Sequence, residues 1–343
     1  MRFAFRVDAS LQIGTGHVMR CLTLAEELRR RGADTGFLCR SEPGNLNAFI
    51  ASRGHHVQIL APEQDDAQQS SAYLGQALSD WVVVDHYALN RAWEEAVRPF
   101  ARRILVIDDL ANRRHDCDLL LDQNMYDGIE DRYGPLVPAH CRQLIGPRFA
   151  LLRPEFAEVR DRTARKAGPV ARLLVSFGGV DVTNETARLI ACLDDLPPPP
   201  VALEVVIGPA SPHCEQVKAL ASRRPAATVH VGTDRMAELM SRADAFIGAG
   251  GSTTWERFCL GLPSLVIAVA ENQQATSQYL GKIGAIDYIG AALEIAEPAL
   301  RAAVSRFLLD HEGRARMAAL GMQLVDGLGA NRVADCILGL ARA

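Results

Sequence analysis

Apolar runs with strand character alternate along this chain with runs of helical period. In the first half the runs at 2–7, 34–39, 56–60, 81–85, 103–107 and 119–122 predict strands. The runs at 18–31, 44–53, 65–79 and 90–99 predict helices between them. In the second half strands are predicted at 171–177, 202–207, 228–231, 244–248, 264–268 and 286–289, and helices at 184–194, 213–223, 234–242, 253–261 and 273–283. Roughly the last 45 residues are helical in pattern. Strands alternating with helices call for parallel sheets covered on both faces. The expected fold class is therefore α/β, with two doubly wound parallel-sheet domains. The charged stretch 158–168, closed by Pro169, predicts a linker and hence domains at 1–157 and 169–343. The run Pro197–Pro200 cannot be helical and predicts a surface connection.

In open α/β sheets, ligands bind beyond the carboxyl ends of the strands, and here those ends are polar. After the first strand come Asp8 and then Ile13-Gly14-Thr15-Gly16-His17, which leads into an amphipathic helix. Gly14 and Gly16 let the backbone approach a ligand closely. The helix start favours an anion, and the same dipole disfavours imidazolium, so His17 is expected to be neutral and able to accept a proton. A plain βα turn with a capping histidine is the simpler alternative. Asp85-His86-Tyr87 and Asp108-Asp109 end two further strands and would line the same face as His17. Each aspartate could equally cap a helix or hold a turn. No clustered ligand set accompanies Asp108-Asp109, so no metal is expected.

The second half carries phosphate-type chemistry. Gly178-Gly179 ends one strand, with Asp181 and Asn184 before the next helix. Gly250-Gly251-Ser252-Thr253 forms a glycine turn between a strand and a helix. Backbone N–H groups at such a start can cradle a diphosphate without a lysine. Thr253 and Glu256 also have the spacing of a capping box. Glu271-Asn272-Gln273-Gln274 places amides at another strand end. Neither glycine motif is Walker A or G-x-G-x-x-G, which argues against an ATPase and a dinucleotide dehydrogenase.

Composition narrows the partners. The chain has 343 residues and a net charge of −4, with no basic patch that would suit nucleic acid or a membrane surface. No apolar run reaches membrane-spanning length, and the first residues lack a signal-peptide core. Eight scattered cysteines without a C-x-x-C pair read as reduced thiols. A soluble cytoplasmic protein with no cofactor and no obligate protein partner is expected.

In order and spacing the chain resembles the UDP-2,4-diacetamido-2,4,6-trideoxy-β-L-altropyranose hydrolases of pseudaminic-acid biosynthesis. The resemblance runs through Arg6-Val7-Asp8, Ile13–His17 with Arg20, Asp85-His86-Tyr87, Asp108-Asp109, Asp116–Asp122 and Tyr126. It continues through Leu151–Phe156, Gly178-Gly179-x-Asp181 and Glu271-Asn272-Gln273. It implies the glycosyltransferase-B architecture, two Rossmann-like domains facing a cleft. It implies UDP on the C-terminal domain, with Gly178, Gly179, Gly250, Gly251, Ser252, Thr253 and Gln273 as candidate contacts and Glu256 on the ribose hydroxyls. The sugar would face the N-terminal domain, with Asp8, Gly14, Gly16, Arg20, Tyr87 and Asn272 as candidate substrate contacts and His17 serving the attacking water. The implied reaction is hydrolysis of the sugar C1–O bond, with inversion and without metal. A UDP-sugar-dependent glycosyltransferase and a non-catalytic sugar-nucleotide-binding subunit are the alternatives.

Overall fold

The computed structural model describes residues 1–128, 131–163, 168–194 and 201–341. The chain divides into two compact units, residues 1–152 with 328–343, and residues 153–327.

The first unit holds a parallel sheet of seven strands. Its elements run β1 (Arg2–Val7), α1 (Gly16–Arg30), β2 (Asp34–Arg40), α2 (Asn47–Ser52), β3 (His56–Leu60), α3 (Asp66–Leu74) and β4 (Ser79–Asp85). They continue α4 (Arg91–Val97), β5 (Ala101–Ile107), β6 (Leu119–Asp122) and β7 (Arg142–Ile145). The strand order is β3-β2-β1-β4-β5-β6-β7. Alternation along each strand feeds two cores. Phe3, Phe5, Val7, Trp81, Val83, Leu105 and Ile107 face one side with Val18, Cys21 and Leu24 of α1. Ala4, Val82, Val84, Ile104 and Val106 face the other with Leu74, Trp93 and Val97.

The second unit begins with α5 (Pro154–Arg160) and builds a parallel sheet of six strands, in the order β10-β9-β8-β11-β12-β13. Its elements are β8 (Arg172–Ser176), α6 (Glu185–Asp194), β9 (Ala202–Ile207), α7 (Cys214–Ala221), β10 (Ala227–Val231), α8 (Met236–Arg242) and β11 (Ala245–Ala249). They continue α9 (Thr253–Cys259), β12 (Ser264–Ala268), α10 (Gln274–Lys282), β13 (Asp287–Ala291), α11 (Glu297–Leu309) and α12 (His311–Leu324). Two parallel-sheet α/β units are thus present, as expected.

The limits of the units differ from the expected domains. The last helix, α13 (Gly329–Leu340), belongs to the first unit and not to the second. Its Ala330, Val333, Ala334 and Ile337 join the core that α1 covers, and Arg31 pairs with Asp335. At the crossing, a Cβ on Gly329 would lie 2.1 Å from the Ala150 carbonyl oxygen, so only glycine fits there. Residues 158–160 of the expected linker are the end of α5, whose Arg160 ties down the carbonyls of Cys259, Met322 and Val325. Residues 164–167 of that linker, and the Pro197–Pro200 run, lie outside the described residues. Among the described residues no helix is long and apolar enough to cross a membrane.

Each sheet reverses its strand order once, between β1 and β4 in the first unit and between β8 and β11 in the second. Such switch points open a crevice beyond the carboxyl ends of the two strands. The loops there are the ones that carry Gly14–His17 and Asp85–Tyr87 in one unit, and Gly178-Gly179 and Gly250–Thr253 in the other.

Candidate functional site

The β1–α1 loop is a compact turn. The Ser10 carbonyl accepts the Gly14 N–H at 2.8 Å, and the Ser10 hydroxyl accepts those of Gln12 and Ile13. Gly14 takes φ +80°, a left-handed conformation that favours glycine. α1 then starts at Gly16 with no side-chain cap from Thr15. His17, its second residue, is buried.

The sequence places Asp85 on the same face as His17 but assigns it no role, and it is the group that holds His17. Asp85, at the end of β4, is 1% exposed, and its Oδ1 lies 2.6 Å from His17 Nδ1. Arg20, one turn along α1, donates from Nε to Asp85 Oδ2 at 2.6 Å and from Nη2 to Oδ1 at 2.7 Å. The 3.1 Å between Arg20 Nη2 and His17 Nδ1 is therefore two donors converging on one carboxylate oxygen. The ionised Asp85 carboxylate can only accept, so Nδ1 carries a proton, and in the neutral imidazole this tautomer leaves the lone pair on Nε2. Burial would raise the Asp85 carboxyl, but Arg20 and His17 outweigh it and hold it far below the usual carboxylate range. The Tyr87 ring stands edge-on to His17, with centroids 4.7 Å apart. A third Arg20 nitrogen, Nη1, donates to Asp109 at 3.2 Å. His17, Arg20, Tyr87 and Asp109 thus come together around Asp85.

Asp8 does not join this cluster. Its Oδ1 is taken by Arg6 and the Arg40 N–H, and its Oδ2 by Arg6 and His86. Arg6, itself 1% exposed, also binds Asp66 at 2.6 Å, and Trp93 Nε1 donates to the same carboxylate. The geometry gives Asp8 an internal role, balancing a buried arginine.

Asp108 and Asp109 are matched by cations and donors within the unit. Arg113 lies 2.8 Å from Asp108, and the Ala111 N–H caps its other oxygen. Among the described residues, no group of three or more His, Cys, Asp or Glu side chains could hold a metal. Behind the pair, the single Tyr133 hydroxyl proton faces three acceptors. These are the Asp108 carbonyl at 3.0 Å, its carboxylate at 3.2 Å and Asp122 at 3.0 Å. Protonation of Asp122 supplies the missing donor, and burial pushes that carboxyl up to about 7. The folded-state value exceeds the unfolded one, so the native protein binds the extra proton between about pH 4 and pH 7. Stability from this group is fully present below that window and falls as pH rises through it. Asp122→Asn is expected to remove this loss, a change on the order of a few kcal/mol between pH 5 and pH 8. Denaturant melts at the two pH values test this, and a variant with the wild-type slope contradicts it.

In the second unit, Gly178 takes φ +92°. A Cβ on Gly208 would meet the Gly179 carbonyl oxygen at 2.1 Å, so two backbones touch at this turn. The N-terminus of α6 is already occupied, because the Asp181 carboxylate accepts the N–H groups of Glu185 and Thr186 at 2.9 and 3.0 Å. The β11–α9 turn is packed just as closely on one side, where a Cβ on Gly250 would lie 2.4 Å from Ser277 Oγ. Gly251 is open, with only Gln273 Nε2 at 3.9 Å from such a Cβ. Gln273 is fixed by its Oε1, which accepts the Val269 N–H at 3.1 Å. Asn272 beside it is exposed.

The Thr253–Glu256 capping box does not form. Ser252 occupies the cap position and Thr253 is already the first helical residue. The helix begins with tight turns, Thr254 N–H to Gly251 and Trp255 N–H to Ser252. Glu256 therefore sits one position too far along to reach back to a cap N–H. Its half-buried carboxyl is pushed up to about 7 by burial, which Arg153 and Arg257 only partly offset. Arg257, unnoticed in the sequence, is fully buried behind the glycine turn. It donates to the Ala249 carbonyl at 3.0 Å and the Thr254 hydroxyl at 2.8 Å, and its guanidinium lies 4.1 Å over Phe246.

Comparison with known proteins agrees with the resemblance read from the motifs. No family model matches the chain. The spore coat polysaccharide biosynthesis protein SpsG of Bacillus subtilis is 28% identical over 339 residues, covering 97% of this chain and 96% of that one. The UDP-2,4-diacetamido-2,4,6-trideoxy-β-L-altropyranose hydrolase of Campylobacter jejuni is 26% identical over 286 residues, covering 83% of this chain and 97% of that one. Among solved structures, MurG of Acinetobacter baumannii aligns with a TM-score of 0.70 at 17% identity, over 98% of this chain and 99% of its own. The fold is thus of the glycosyltransferase-B type.

Proposed function

We propose that this chain is a UDP-sugar hydrolase that cleaves the sugar C1–O bond of UDP-2,4-diacetamido-2,4,6-trideoxy-β-L-altropyranose, releasing UDP and the free sugar. The observation that carries the reading is the His17–Asp85–Arg20 cluster at the switch point of the first sheet. A histidine whose Nδ1–H is fixed by a buried carboxylate presents Nε2 as a base for water. UDP leaves as a stable anion, so no acid is needed on the leaving group, unlike an ordinary glycosidase. One base is enough. Arg20 neutralises Asp85, so the carboxylate orients His17 without needing a proton of its own. Tyr87 limits the tilt of the imidazole and helps to hold the sugar.

The nucleotide is assigned to the second unit. The Gly250–Thr253 turn offers N–H groups to the diphosphate, and Gln273 and the Gly178-Gly179 turn border the same strand ends. Glu256 takes the ribose hydroxyls. Failure of the capping box supports this role, since it removes one structural task from the carboxylate, whose cationic neighbours are Arg153 and Arg257. Glu256→Ala is expected to weaken UDP binding about tenfold or more and to leave the melting temperature unchanged or higher. Calorimetric titration with UDP, run beside a melting curve, tests it. Unchanged affinity with lower stability would return Glu256 to a structural role.

The likeness to glycosyltransferase-type folds favours one competing reading, transfer of the sugar to an acceptor hydroxyl. Incubation with the UDP-sugar in the absence of any acceptor separates the two. Stoichiometric release of UDP and free sugar at multiple turnovers supports hydrolysis, and release that requires an added alcohol supports transfer.

A further inference from the structure

We propose that Cys117 and Cys141 form a reversible dithiol–disulfide site. Sequence spacing gives no hint of it, since the two are 24 residues apart. Cys117 precedes β6 and Cys141 directly precedes β7, and these strands are neighbours in the sheet, in register from Leu119↔Arg142 onward. The two sulfurs lie 3.5 Å apart. A disulfide needs about 2 Å, so the gap to close is small, and the pairing of β6 with β7 sets the two backbones side by side. Of the other cysteines, Cys21, Cys39, Cys192 and Cys259 are buried, and Cys214 and Cys336 are half-buried.

The pair is asymmetric in a way that suits exchange. Cys117 is 0% exposed and Cys141 is half-buried. Contact with Cys141 and burial push the Cys117 thiol far above its ordinary value. Cys141 is therefore the thiol that meets a small disulfide from solvent. Its thiolate attacks one sulfur of glutathione disulfide, forming a mixed disulfide and releasing one glutathione. Cys117 then loses its proton and attacks the Cys141 sulfur, releasing the second glutathione. Two thiols of the protein lose two electrons and two protons, and one glutathione disulfide becomes two glutathiones.

The closed ring runs from 117 to 141 and includes Asp122, Tyr126, Arg132 and Tyr133. Tyr126 and Arg132 both donate to the Asp109 carbonyl at 2.8 Å, and Asp109 in turn holds Arg20. The bridge thus staples the segment that backs the candidate active site, and its effect is to resist unfolding of that segment.

The test treats the folded full-length chain with glutathione disulfide, quenches free thiols with an alkylating reagent and maps peptides by mass. The expected product is a 117–141 cross-link lacking two hydrogens. It should raise the melting temperature by about 5 °C, and dithiothreitol should reverse it. Cys141→Ser should abolish both the cross-link and the shift and leave Cys117 unmodified. Cys214 and Cys336 serve as internal controls, gaining single glutathione adducts at most. The proposal is overturned if Cys141 stops at a glutathione adduct, if the pair stays reduced while Cys214 or Cys336 reacts, or if the cross-link appears only in denaturant.

Discussion

Replacing His17 with asparagine is expected to lower kcat by about 100-fold or more, the usual consequence of deleting a general base. Asparagine can still donate one N–H to Asp85, so the local fold should hold. It cannot take a proton from water. UDP affinity should stay within a few-fold of wild type, because the proposed diphosphate and ribose contacts lie on the second unit, at Gly250–Thr253 and Glu256. Steady-state kinetics and calorimetric titration on one preparation separate the two quantities. A variant with near-normal kcat would remove His17 from the chemistry. A variant that lost UDP binding in proportion would show that the residue supports the nucleotide site instead.

Asp85→Asn should cost nearly as much turnover, also about 100-fold or more, with a second signature that the His17 variant lacks. The amide can accept on only one atom, so it cannot satisfy His17 Nδ1 and the two Arg20 bonds together. The tautomer of His17 is no longer fixed. Arg20 is left buried with only Asp109, at 3.2 Å, as a charged partner. Breaking one side of such a buried ion pair costs about 3 kcal/mol. Chemical denaturation should show that loss at pH 7 and a smaller one in acid. The Asp85 value is depressed by folding, so its contribution is complete above about pH 4 and disappears as pH falls below it. A purely structural Asp85 would give folded variant molecules with wild-type kcat. A positioning residue gives folded molecules with low kcat and little change in KM.

The two predictions rest on a contact that one-dimensional reading could not supply. Asp85 and His17 are 68 residues apart, and only the β1–β4 pairing brings them together. The chain pattern did point to each of them separately, as polar residues at the ends of apolar strands. It could not tell Asp85, which faces α1, from Asp8, which faces Arg6 and is spent on a buried charge. The hydrophobic pattern located most strands because buried parallel strands are continuous apolar runs. It missed β7, whose Arg-Gln-Leu-Ile sequence sits at the sheet edge and needs only one buried residue, Leu144. α13 was legible as a helix, but not its destination, which depends on Val333, Ala334 and Ile337 matching a core begun three hundred residues earlier. The capping box failed for a local reason. The glycine turn tightens the start of α9 and shifts the cap to Ser252, a shift that spacing cannot reveal.

Hydrolysis at the sugar carbon is the central claim, and the destination of the water oxygen tests it. The reaction is run in ¹⁸O-labelled water and both products are weighed by mass spectrometry, with early-time NMR of the anomer. Attack at C1 by a His17-activated water places the label only in the free sugar, with inverted configuration. Attack at phosphorus places it on a phosphate, and label in the uridine product, or a sugar 1-phosphate with UMP, would contradict the account.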